Sequence, residues 1–136
     1  MNQNKHLGPH GHWIAKSGVG LLLLAVILGA FGAHALKTYT TEQGLSWWKT
    51  GVTYQTTHGF ALISLALLSP YMANQKWVKW IAWCFLGGWI LFSGSLYTMT
   101  LTQIRVLGAI TPFGGMLWII GWSFFLMCKW SSSSSE

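Results

Sequence analysis

The side chains able to bind or react fall in a few short runs. Tyr54, Gln55, Thr56, Thr57 and His58 stand together in the middle of the chain, and His34 precedes them. An imidazole can ligate a metal, carry a proton or exchange hydrogen bonds. A phenol and an amide beside it add further donors and acceptors. Ser93, Ser95 and Tyr97 form a second run, and Thr111 with Pro112 a third. Tyr54 and His58 are four residues apart, which on a helix puts them on one face, within reach of Ser93, Ser95 or Thr111 if those pack opposite. Pro112 has no N–H; inside a helix it would free the carbonyl of Gly108 and kink or open the helix there.

The chemistry these residues exclude is broader than the chemistry they offer. The sequence has no Asp, and its two carboxylate side chains are Glu42 and Glu136. Paired carboxylates for acid–base work are therefore missing, as is the buried acid that ion-coupled transport ordinarily places within a membrane; His58 is the one group that could take that role. Cys84 and Cys128 fall in apolar segments with no CxxC spacing and read as small packing residues. Nothing meets the geometric roles of an active site, so no catalytic residue, no metal and no cofactor is expected. Joint ligation of haem or a metal by His34 and His58 is disfavoured, because the two lie at different depths along their helices.

The elements that must carry these residues are set by composition. Apolar residues make up 52% of the 136-residue chain and charged residues only 7%, against about 25% charged in a soluble domain. Lipid is the solvent that suits such a surface. Four apolar stretches, at about 13–36, 48–69, 77–99 and 106–128, approach the roughly 20 residues needed to cross ~30 Å of hydrocarbon. Trp13, Trp47, Trp48, Trp77 and Trp130 stand near their ends, where indoles favour the headgroup level. The sequence thus predicts an all-α fold, an integral membrane bundle of four antiparallel transmembrane helices spanning 13–130.

The links refine this picture. Those at 70–76 and 100–105 are short, which forces neighbouring helices to run antiparallel. The first link contains Thr40-Thr41-Glu42-Gln43. Thr followed three residues later by Gln is a capping-box pattern, and the second helix is expected to begin near Thr41. Residues 1–12, with three His and a Gly-Pro, and 131–136, a serine-rich tail, are expected to be flexible. Lys16, the apolar run from Val19 and Ala33-His34-Ala35 imitate a signal peptide with its cleavage site; the further spans that follow directly favour a retained helix.

Alternation of direction brings four polar ends to one side: His34, Tyr54 to His58, Ser93 to Tyr97, and Thr111 with Pro112. The opposite half of the bundle is plainly apolar. Lys5, Lys16, Lys76, Lys79 and Lys129 fall on the side of the termini, against Lys37, Lys49 and Arg105 on the other. This bias places both termini in the cytoplasm. The net charge of +6 is scattered between apolar runs, which favours attraction to anionic lipid and excludes the basic face that nucleic-acid binding requires.

Several motifs together carry a family resemblance. They are Gly29-Ala30-Phe31-Gly32-Ala33-His34-Ala35-Leu36, Tyr54-Gln55 with His58, Ser93-Gly94-Ser95-Leu96-Tyr97, and Ile110-Thr111-Pro112-Phe113-Gly114-Gly115 with Gly121-Trp122. In that order, over about 17–128, the chain resembles the YgdD/YwdK-like small bacterial inner-membrane proteins of unknown function, which have animal transmembrane relatives. The resemblance implies a four-helix protein of the bacterial cytoplasmic membrane and no activity.

Two functions remain open. The first is a non-enzymatic structural, assembly or partner-binding role, with membrane lipids, other membrane proteins or a second copy as partners, the latter through small-residue helix faces. The alternative is binding or transport of a small molecule, solute or lipid headgroup by the polar cluster of His34, Tyr54, Gln55, His58, Ser93, Ser95, Tyr97, Thr111 and Pro112.

Overall fold

The computed structural model describes residues 7–131. They form four long helices: α1 (Gly11–His34), α2 (Glu42–Leu68), α3 (Gln75–Thr102) and α4 (Thr111–Met127), with short 3-10 turns between them. Gly11–His34, Gln75–Thr102 and the stretch Arg105–Met127 are each long and apolar enough to cross a membrane. At 27 residues α2 is also long enough, but its composition is more polar.

The helix ends are fixed by local chemistry. Thr41 caps α2, its hydroxyl accepting from Gly44 N–H at 3.1 Å. The cap therefore sits one residue beyond the Thr40/Gln43 pair, and the reciprocal arm of a capping box is absent because the third helical residue is Gly44. Thr40 instead accepts from Gln103 Nε2 at 2.9 Å, tying the first link to the end of α3. Asn74 caps α3 by accepting from Lys76 N–H at 2.9 Å. Gln103 ends α3 in the left-handed region at φ 59°, and its N–H returns to Met99 O.

Pro112 corrects an expectation. It occupies the first turn of α4, preceded by the 3-10 segment Arg105–Ala109. In the first turn a missing N–H costs nothing, since that donor would have no partner within the helix anyway. Pro112 thus starts the helix instead of kinking it, and α4 begins five residues after the apolar stretch does.

The packing is antiparallel throughout. Residues 18, 21 and 28 of α1 meet 59, 55 and 48 of α2, and residues 85, 88 and 92 of α3 meet 121, 118 and 114 of α4. Helices α2 and α3 are the inner pair, with α1 laid on α2 and α4 on α3. Glycines permit the close approach. A Cβ at Gly18 would lie 2.7 Å from Gly59 O, and one at Gly114 would collide with the backbone of Phe92. Elsewhere a glycine receives a ring: Trp48 sits over Gly32 and Trp118 over Gly88. Each indole N–H then finds a carbonyl of the facing helix, Leu28 O at 2.8 Å and Phe85 O at 3.0 Å.

The apolar core fills the half nearest the termini, where Ile14, Leu62, Leu65, Val78, Ile81 and Phe85 are completely buried. That end is closed by the chain itself. Ala73 N–H donates to Lys129 O at 3.0 Å and Ser131 N–H to Tyr71 O at 2.7 Å, pairing Met72 with Trp130 in one antiparallel bridge. Ahead of α1, Gly8 N–H donates to Ser69 Oγ at 3.2 Å, so both ends of the described chain are fastened to the α2–α3 link.

Candidate functional site

Gln55, the middle residue of α2, is completely buried and touches three helices. Its Nε2 donates to Leu21 O on α1 at 2.8 Å. Its Oε1 accepts from Trp89 Nε1 and from Tyr97 OH on α3, both at 2.9 Å. An amide away from water must satisfy both of its polar ends, and three partners do so. Tyr97 in turn lays its ring against Gly51, where a Cβ would approach to 2.8 Å, and against Trp48 at a centroid distance of 4.6 Å.

One turn further along α2, His58 is enclosed by aromatic rings. It stacks on Trp118 at 3.8 Å and 7°, with Phe85 edge-on at 5.5 Å. Trp122 Nε1 donates to its Nε2 at 3.2 Å, which leaves Nδ1 as the protonated nitrogen facing Tyr54 O at 2.9 Å. Both ring nitrogens of a neutral imidazole are thereby used. Tyr54 stacks on the far side of this group, 5.5 Å from Trp118, and is 44% exposed.

The other polar residues lie nearer the opposite end. Ser93 Oγ donates to Gly51 O at 2.9 Å, and Thr100 Oγ1 to Gly44 O at 3.0 Å, joining α3 to α2. Ser95 and Thr111 share a 2.8 Å hydrogen bond from α3 to α4. His34 and Pro112 are exposed and stand outside these contacts. Since Leu28 meets Trp48, His34 lies level with the start of α2, some 16 residues from His58, or roughly 24 Å along the bundle at ~1.5 Å per residue. The two histidines cannot ligate one ion.

The structure thus brings together Gln55 and Tyr97, Ser93 with the α2 backbone, Ser95 with Thr111, and Tyr54 with His58. The partners of His58 are tryptophans and not the serines or threonine of the facing helices. Trp89, Trp118 and Trp122 are the residues that sequence reasoning missed. Their side chains count as apolar in a hydropathy reading, yet each carries a donor that a buried acceptor can claim. Among the described residues the one buried side-chain polar atom lacking a partner is Gln75 Oε1, outside this network. In chemical terms the arrangement is a set of cross-helix ties, with Tyr54 among the members that reach the surface.

Comparison with known proteins covers the same region. A family profile described as a protein of unknown function (DUF423) matches residues 28–115. A UPF0382 membrane protein of Staphylococcus saprophyticus is 45% identical over 100 residues, covering 74% of this chain and 82% of that protein. The UPF0382 membrane protein YwdK of Bacillus subtilis is 46% identical over 100 residues, covering 74% and 81%. A counterpart from Staphylococcus aureus is 46% identical over 105 residues, covering 77% and 84%. No solved structure matches.

Proposed function

Because the chain belongs to the DUF423 family of UPF0382 membrane proteins, whose function is unknown, we propose that it is a non-enzymatic membrane component that holds a helix of another membrane protein, or of a second copy, against the outer face of α2. One observation carries this reading. The polar groups inside the bundle are spent on one another, while Ser46, Lys49, Thr53 and Thr57 are exposed on the side of α2 that no helix of this chain covers. Their spacing of three and four residues keeps them on a single face.

The contrast with the other helices gives the stripe its meaning. The exposed faces of α1 and α4 present Val19, Leu23, Val26 and Ile27, and Phe113, Met116, Ile119 and Leu126, side chains at home in lipid. Polar side chains within hydrocarbon ordinarily face protein or water. The glycine faces, by contrast, are largely occupied within the chain; Gly20 and Gly94 are those with open space around them. The location that fits is the bacterial inner membrane, with both termini cytoplasmic, as the lysine bias supports.

Photo-crosslinking in native membranes tests this reading. A crosslinking residue at Thr53 should give one protein adduct of defined mass, and the same residue at Leu23 on the exposed face of α1 should give none. Equal yields at the two positions, or adducts with lipid alone at both, would overturn it. Ser46, Lys49 and Thr53 of the stripe also line a surface groove with Glu42, Leu45, Thr50 and Tyr54. That groove favours, as the second reading, a small solute bound at the same face, which a lipid-free, small-molecule adduct at Thr53 would reveal.

A further inference from the structure

At the opposite end of the bundle from Glu42, the first turns of α3 project Lys76, Lys79, Trp80 and Trp83 to one side. With His10, just ahead of α1, these four residues line a groove. Trp80 and Trp83 are 64% and 54% exposed, and Trp83 rests 5.7 Å from Trp13 of α1. The groove therefore has a cationic rim and an aromatic floor that continues down between α1 and α3.

Among the described residues these cations have no counter-charge beside them. Among the described residues Glu42 is the single carboxylate side chain, and it stands at the other end of the bundle; Glu136 lies outside the described residues. Lys76 and Lys79 are exposed at the level where a helix leaves the hydrocarbon, and indoles mark that level as the interface. Basic grooves between transmembrane helices at this depth suit anionic lipid headgroups.

We propose that this groove is a specific binding site for an anionic phospholipid. The phosphodiester sits between the Lys76 and Lys79 ammonium groups, with His10 at the rim, and an acyl chain lies along Trp80 and Trp83. The chemistry selects among lipids. A zwitterionic headgroup brings its own cation into a site that already holds two and, among the described residues, has no carboxylate, whereas phosphatidylglycerol or cardiolipin brings only negative charge. The site does not depend on the partner surface of α2, which lies toward the other end.

Native mass spectrometry of the full chain released from nanodiscs of equal phosphatidylglycerol and phosphatidylcholine tests the assignment. The wild-type protein should retain phosphatidylglycerol in preference. The double variant Lys76→Gln/Lys79→Gln should lose about thirtyfold of that preference, the size expected from removing two interfacial lysines. Lys37→Gln/Arg105→Gln, altering exposed cations at the far end, should keep it. Both double variants change exposed residues, and unchanged thermal unfolding in detergent will show that the fold is retained. No preference in the wild type, or an equal loss in the two double variants, would overturn the proposal. Displacement of the lipid by millimolar inorganic phosphate would overturn it in favour of a free-anion site.

Discussion

Gln55 illustrates how one residue can be indispensable without being reactive. Its amide ties α1, α2 and α3 through three hydrogen bonds, each worth about 0.6 to 2 kcal/mol in a membrane interior. Gln55→Leu should therefore lower unfolding free energy by about 2–3 kcal/mol, read by steric trapping or by SDS titration in mixed micelles. A change under 0.5 kcal/mol would mean that the freed groups find other partners. His58 is tested by two substitutions. His58→Phe preserves stacking on Trp118 and gives up the bond from Trp122, and should cost about 1–2 kcal/mol. His58→Ala also empties the ring's space and should cost roughly 3–4 kcal/mol. If both variants keep full stability, the residue is retained for something other than packing. The candidates Tyr54, Gln55, His58, Ser93, Ser95, Tyr97 and Thr111 were legible in the sequence because polar residues are rare in such a chain. Their partners were not, since a tryptophan donor looks apolar and a backbone carbonyl is invisible in the letters.

Among the elements, glycine placement decides which helices approach. Gly114 faces the backbone of Phe92, which cannot move aside, whereas a Cβ at Gly94 meets nothing within 4 Å. Gly114→Ala should destabilise the α3–α4 pair by about 2 kcal/mol or more, as overpacking does. Gly94→Ala should be neutral or stabilising by up to about 1 kcal/mol through helix propensity. Thermal unfolding of the two variants side by side separates these effects. The helices themselves were legible as long apolar runs, and Thr41 as a cap to within a residue. The start of α4 was not, because the apolar stretch runs through 106–109 in a 3-10 conformation that hydropathy cannot distinguish from α-helix. Proline in the first turn has the same letter as proline at a kink; only the preceding backbone tells them apart.

At the scale of the molecule, both ends of the described chain converge on the α2–α3 link, through Gly8 with Ser69 and through Trp130 and Ser131 with residues 71–73. Removing residues 129–136 should leave the four helices intact but raise amide exchange at Ala73, whose acceptor is Lys129 O, by about tenfold or more, measured by mass spectrometry; unchanged protection would show that the link is rigid by itself. Two halves of different character were foreseen from the alternation of helices, and the structure places the apolar core at the end of the termini. It also moves Gln55 and His58 toward the middle of the bundle, because α2 extends six residues before the apolar stretch that revealed it.

The polarity of α2 bears on how the protein comes to be in the membrane at all. Three helical stretches could partition from the translocon unaided; α2, carrying Gln55 inward and Lys49, Thr53 and Thr57 outward, is the poor substrate among them. Leu21 O is the first partner that synthesis makes ready for the Gln55 amide, and Gly18 with Gly59 lets the two backbones meet at once. Helix α2 is therefore expected to enter as the second arm of a hairpin whose first arm has already prepared its place. An insertion reporter fused after α2 alone should stay outside the bilayer, while one fused after α1 and α2 together should be integrated.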